Sequence, residues 1–318
     1  MRDRPTIQID LMGMRPFTSY LEKDMRFLGI LCATGIAALA PLAAEDIQIA
    51  GSTTVQPIMA AVAKTFQDAH PGIILTVKAG GSDIGISLAG AGKINLGMVS
   101  RPLNDDDLKA YPDLVDTAIG SDGLVFVVPA AVTVTAITSE QIRDIYTGAT
   151  ANWQNLGGGN LAIVPVGRDS RHGTAKVFAD FFKLESTEEF LGAAPMIHER
   201  RSGSATPGSV VVQVTSSNDE TLQAVSDHPG GIGYCSAAVA EGAIAAGEKL
   251  HILSLDSVPG SSATIRDGTY PVRRPLLLVT RGKPTGTIKA IIDFVLSPAG
   301  QDLVGKSEFI PLGATPKP

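Results

Sequence analysis

A short apolar run at residues 47–50 gives way to Gly51-Ser52-Thr53-Thr54-Val55-Gln56-Pro57, after which apolar residues fall at Val55, Ile58, Met59, Val62 and Phe66. That spacing is one stripe of a helix, and the preceding run is short enough to be a buried strand. Strand, tight turn and helix in immediate succession confine the chain to the α/β class. The alternation continues downstream. His70-Pro71-Gly72 stops the helix, and strands are expected at residues 73–77 and 96–99. Leu124-Val125-Phe126-Val127-Val128 has no polar break, as in a strand covered on both faces. A second unit is expected after it. Thr138 and Gln141 have capping-box spacing, with Ile137 and Ile142 placed as a hydrophobic staple. That helix should stop near Tyr146-Thr147-Gly148, and a strand at residues 163–166 should lead to a helix buried through Phe178, Phe181 and Phe182. A helix at 218–227, strands at 232–235 and 276–280, and helices at 287–296 and 299–305 complete the reading.

The loops carry the chemistry. The hydroxyl-rich turn at 51–54 is matched by Gly80-Gly81-Ser82-Asp83-Ile84-Gly85 and by Gly167-Arg168-Asp169-Ser170-Arg171-His172-Gly173-Thr174. A helix N-terminus exposes N–H groups without intrahelical acceptors and carries the positive end of the helix dipole. One such turn is ordinarily only a cap. Three in one chain, the last bearing Arg168 and Arg171, point to a small oxyanion held by several helix ends. Composition agrees. The net charge of −6 argues against nucleic acid, and the 5% aromatic content leaves few stacking platforms for a sugar.

Residues 25–44 read as a cleavable secretory signal: Arg26 begins it, an apolar stretch follows, and Leu42-Ala43-Ala44 resembles a cleavage region. The run is shorter than a membrane span, so a periplasmic location is expected. Residues 1–24 read as an extension ahead of the true start at Met25. With Cys32 inside the signal, Cys235 is the single cysteine of the mature chain and no internal disulfide is expected.

Taken in order, these segments resemble the phosphate-binding proteins of high-affinity phosphate ABC transporters. The resemblance runs through Gly51 to Pro57, Gly80-Gly81-Ser82, Ile94-Asn95-Leu96-Gly97, Ser100-Arg101-Pro102-Leu103, Ile145-Tyr146-Thr147-Gly148, Asn152-Trp153, the Arg168 to Thr174 loop, Gly231-Ile232-Gly233-Tyr234, and Gly300-Gln301 through Ile310-Pro311-Leu312. It implies a two-lobed, type II-like periplasmic binding fold with the ligand in the interdomain cleft and a hinge of two chain crossings. One lobe would combine residues 45–125 with 250–318, and the other would span 126–249. The implied ligand residues are Thr53, Thr54, Ser82, Asp83, Ser100, Arg101, Arg168, Ser170, His172, Gly173 and Thr174. Two departures stand out: His172 where the family usually has serine, and Ala175 where arginine is common. The implied function is capture of inorganic phosphate for an inner-membrane ABC permease, by a monomer without cofactor, metal or catalysis.

Phosphate keeps a proton at neutral pH and sulfate keeps none, so a carboxylate acceptor in the site would select phosphate. Asp83 is the first candidate and Asp169 the second, with capping of the following helix as the structural alternative for Asp83. Arg168 should supply the main counter-charge. His172 fits an anion donor or a solvated residue equally well. The rival readings are a binder of sulfate, molybdate or tungstate, a phosphate sensor, and, more remotely, a hydrolase using Ser170 and His172. The hydrolase lacks a Gly-x-Ser-x-Gly elbow. Gly90-Ala91-Gly92-Lys93 is not a phosphate loop, because Ser87 replaces the first glycine and Ile94 follows the lysine. His70, His198, His228 and His251 show no metal spacing.

Overall fold

The structure, a computed structural model, describes residues 44–191, 194–202 and 212–313. The extension at 1–24, the signal up to residue 43 and the expected tail at 315–318 lie outside the described residues.

The chain begins with β1 (Glu45–Gly51), α1 (Gln56–Ala69), β2 (Ile73–Ala79), α2 (Ser82–Gly90), β3 (Leu96–Val99), α3 (Asp105–Ala110) and the long β4 (Leu114–Pro129). It continues through β5 (Ala136–Ile137), α4 (Ser139–Tyr146), β6 (Val164–Arg168), α5 (Gly173–Phe182), the antiparallel pair β7 (Leu184–Leu191) and β8 (Ala194–Arg201), and β9 (Val212–Thr215). Then come α6 (Asn218–Asp227), β10 (Gly231–Ser236), α7 (Ala237–Ala245), β11 (Leu250–Ile252), β12 (Ser254–Leu255) and α8 (Ser262–Arg266). The last elements are β13 (Arg273–Arg281), α9 (Gly286–Leu296) and α10 (Pro298–Lys306).

Two cores result. Ile47, Ile58, Met59, Val62, Phe66, Leu96, Leu276 and Ile291 are buried in the first, and Phe126, Tyr146, Trp153, Val166, Phe178 and Tyr234 in the second. In the first lobe β1 pairs in parallel with β2 and β3, and β3 pairs antiparallel with β13. In the second, β10 pairs with β4 and β6, and β6 with β9. One strand serves both. The first part of β4 pairs with β13 as far as Gly123, and from Leu124 onward it pairs with β10.

Two chain crossings therefore join the lobes, and they lie side by side, with Arg273 opposite Gly123 and the Leu124 N–H donating to the Val272 carbonyl at 3.0 Å. Leu250, Leu253, Leu255, Ile265, Tyr270 and Val272 all pack into the second core, because β11 adds to the far half of β4. One expectation is corrected: the three phenylalanines share a helix face, but α5 turns Phe178 and Phe182 into the core and leaves Phe181 37% exposed at its rim, edge-on to Phe182 at 4.9 Å.

Candidate functional site

The turn between β1 and α1 is closed by Ser52, whose Oγ accepts from the N–H groups of Thr54 at 3.2 Å and Val55 at 3.3 Å. Gly51, at φ 136°, is required there: a Cβ would lie 2.2 Å from the Met98 carbonyl oxygen. Because Ser52 closes the turn, the hydroxyls of Thr53 and Thr54 are released to face other partners.

Those partners are two buried arginines from opposite lobes. Arg168 ends β6 and is fully buried. Its Nη2 donates to Thr53 Oγ1 at 3.2 Å and to the Ser216 carbonyl at 3.3 Å, and its Nη1 reaches Thr221 Oγ1 at 3.4 Å and Asn218 Oδ1 at 3.5 Å. Its Nε is buried without a hydrogen-bond partner, and no carboxylate pairs with it among the described residues. Burial lowers its pKa to about 10, with the nearby Arg274 charge acting the same way, so it stays cationic at neutral pH. Arg274, on β13, donates from Nε and Nη2 to Asp122 Oδ2 at 3.1 and 2.7 Å, from Nη1 to Thr174 Oγ1 at 2.6 Å, and from Nη2 to Thr54 Oγ1 at 3.3 Å. Ser236 Oγ donates to Asp122 Oδ1 at 3.0 Å, and Asn218 Nδ2 donates to Thr54 Oγ1 at 3.4 Å.

The direction of these bonds fixes what the hydroxyls can do. A hydroxyl has one hydrogen and two acceptor lone pairs. Thr53 Oγ1, Thr54 Oγ1 and Thr174 Oγ1 each accept from a guanidinium, which leaves the hydrogen of each to donate elsewhere. Ser82 Oγ accepts from the Ser100 N–H at 3.1 Å and lies 3.4 Å from Ser100 Oγ. The start of α5 closes against this pair, since a Cβ on Gly173 would sit 2.6 Å from Ser82 Oγ and 3.0 Å from Ser100 Oγ. Both α2 and α5 begin without a side-chain cap; of their first amides, those of Asp83 and Ala175 already donate to the Arg171 and His172 carbonyls at 3.1 and 3.0 Å. Among the described residues the cage is thus built of donors with a single carboxylate, Asp122. Of the four lone-pair sites of Asp122, two accept from Arg274 and one from Ser236.

Thr53, Thr54, Ser82, Ser100, Arg168, Gly173 and Thr174 are brought together in this way. Asp83 and Arg101 are not aimed into the cage. They pair with each other at 2.8 Å, and Arg101 also donates to Asp107 at 2.5 Å, which occupies the groups that the resemblance assigned to the ligand. Nor does Asp83 cap α2. Asp169, the second candidate acceptor, is engaged by the guanidinium of Arg171, whose Nε lies 2.8 Å from Oδ1. Burial would raise the Asp169 pKa, but the hydrogen bonds from Arg171 and His172 outweigh it and hold the carboxyl far below its usual range. His172 is buried with Nδ1 3.3 Å from the Asp169 carbonyl, and Ser170 stands half-buried in the same turn. Thr53, Gln56, Gly80, Arg171, His172 and Asn218 border a cleft of about 480 Å³ that forms the mouth of the site.

Sequence reasoning missed Asp122, Arg274, Asn218, Ser236 and Ser52. One signal was available: Asp122 and Arg274 each stand just ahead of an unbroken apolar run, where a charge is unexpected unless it faces a buried site. Among the described residues no group of three or more His, Cys, Asp and Glu could hold a metal, and no helix is long and apolar enough to cross a membrane.

The phosphate-binding protein PstS of Borreliella burgdorferi is 28% identical over 270 residues, covering 83% of this chain and 89% of that protein. PstS of Bacillus subtilis is 27% identical over 259 residues, covering 80% and 76%. Among solved structures, a putative phosphate ABC transporter substrate-binding protein with bound phosphate from Clostridium perfringens superposes with a TM-score of 0.71 at 29% identity, covering 84% of this chain and all of that one. The model of the PBP superfamily domain matches residues 37–299, most of the sequence, and the chain belongs to that superfamily.

Proposed function

We propose that this protein captures inorganic phosphate outside the cytoplasm and delivers it to an ABC transporter. The carrying observation is the polarity of the cage: guanidinium groups donate to the oxygens of Thr53, Thr54 and Thr174, which leaves the hydrogen of each hydroxyl to donate to a ligand. Such a cage suits an anion with many acceptor oxygens. Two buried guanidiniums against the one carboxylate of Asp122 leave one positive charge for that anion to neutralise. The two PstS relatives are phosphate-binding proteins by name, and the similar structure from Clostridium perfringens holds phosphate.

Asp122 takes the part first considered for Asp83 and Asp169. Its remaining lone pair can accept the proton that phosphate keeps and sulfate lacks. The protein works as a binder without catalysis, and export through a signal ending near Ala44 fits the start of β1 at Glu45. Calorimetry tests the reading. Phosphate should bind tightly to the purified protein, arsenate should compete and sulfate should not. Tight sulfate binding, or no phosphate binding, would refute it. Mass spectrometry of the exported protein should find the N-terminus near residue 45, and a chromogenic phosphate ester should not be turned over.

A further inference from the structure

The groups released from the cage form a set of their own at the meeting of the lobes. Asp83 and Arg101 belong to the first lobe, and Arg101 also holds Asp107 of α3. Lys176 of α5 reaches across from the second lobe, with Nζ 3.2 Å from Asp83 Oδ2. Beside it the backbones touch, the Asp83 N–H donating to the Arg171 carbonyl at 3.1 Å. Gly81 makes that approach possible: it has φ 96°, and a Cβ there would lie 2.7 Å from the same carbonyl oxygen.

Charge balance gives the arrangement a direction. Within the first lobe, one guanidinium faces two carboxylates, which leaves one negative charge. Lys176 supplies the missing positive charge only when the lobes are together. Opening the cleft breaks the Asp83–Lys176 pair and leaves the first-lobe set unbalanced.

We propose that Lys176 is a positioning residue for ligand retention: it touches no ligand, and by completing this interlobe charge set on closure it governs how long the bound anion stays. The proposal rests on the phosphate reading above.

The test is stopped-flow measurement of association and release of inorganic phosphate by the purified full chain. Wild type is compared with Lys176→Arg, Lys176→Gln and Lys176→Glu, each at low salt and at about 1 M salt. With a side chain 37% exposed, Lys176 can be replaced without disturbing either core, and thermal midpoints without phosphate should match. Lys176→Gln should release phosphate roughly two- to fivefold faster, the range expected of a partly exposed ion pair. Lys176→Glu should be faster still, and Lys176→Arg near wild type, with association changed less than release. The differences should shrink at about 1 M salt, where screening acts within ~3 Å. Equal release rates in all four proteins, or an acceleration undiminished by salt, would overturn the proposal while leaving the phosphate reading intact. Failure of the wild type to bind phosphate would remove the reading beneath it.

Discussion

Asp122 and Arg274 face each other on the two strands that join the lobes, directly opposite in register and with carboxylate and guanidinium 2.7 Å apart. From this pair Arg274 reaches Thr54 in one lobe and Thr174 in the other, while Asp122 accepts from Ser236. The polar network of the site is therefore anchored on the hinge, where neither lobe can move without disturbing it.

If Asp122 selects phosphate, Asp122→Asn should collapse discrimination against sulfate. The amide can donate to an unprotonated oxygen, and the acceptor for the phosphate proton is lost. A hydrogen bond involving a charged group contributes about 1.5–3 kcal/mol, so the phosphate-to-sulfate affinity ratio should fall roughly ten- to a hundredfold. The ratio is the informative readout, since breaking a buried ion pair also lowers stability. An unchanged ratio by calorimetry would assign selection elsewhere.

Gly173→Ala should weaken phosphate binding with little effect on the thermal midpoint of the ligand-free protein. The added methyl would lie 2.6 Å from Ser82 Oγ, but Ser82 belongs to the opposite lobe and moves away when the cleft opens. Overpacking of this kind costs about 1–3 kcal/mol, here charged to closure alone. Titration of the variant should give at least a fivefold weaker affinity. A large loss of stability without phosphate would place the clash within a lobe.

Acid should destabilise the folded protein partly through Asp169. Its carboxyl is held below the usual range in the folded state, so the stabilisation is present above the unfolded value of about 3.9 and is lost as pH falls below it. Thermal midpoints measured from pH 6 to pH 2 should fall less steeply for Asp169→Asn than for wild type. Parallel curves would mean that Arg171 does not stabilise the ionised carboxylate.

Much of the fold was legible because local rules and tertiary packing agree. The stripe from Val55 to Phe66 is buried as one face of α1, the Thr138–Gln141 capping box forms, and α6 spans the residues expected of it. The hairpin of β7 and β8 was not legible, since Leu184-Glu185-Ser186-Thr187-Glu188-Glu189 lacks the apolar alternation of a half-buried strand. In the site, the loop hydroxyls and Arg168 could be read from local motifs. Asp122 and Arg274 could not be paired, because they are 152 residues apart and meet only through strand register. The partners of Asp83 could not be read for the complementary reason: its place beside Ser82 is local, but its carboxylate pairs with Arg101 and Lys176 from elsewhere in the fold.

The most direct test of the central claim is a crystal structure of the exported protein grown with phosphate. The account predicts one phosphate between the lobes, with Arg168 Nε and the hydroxyls of Thr53, Thr54, Ser82 and Thr174 within about 3 Å of its oxygens. A phosphate bound outside this cage, or held by one lobe alone, would contradict it.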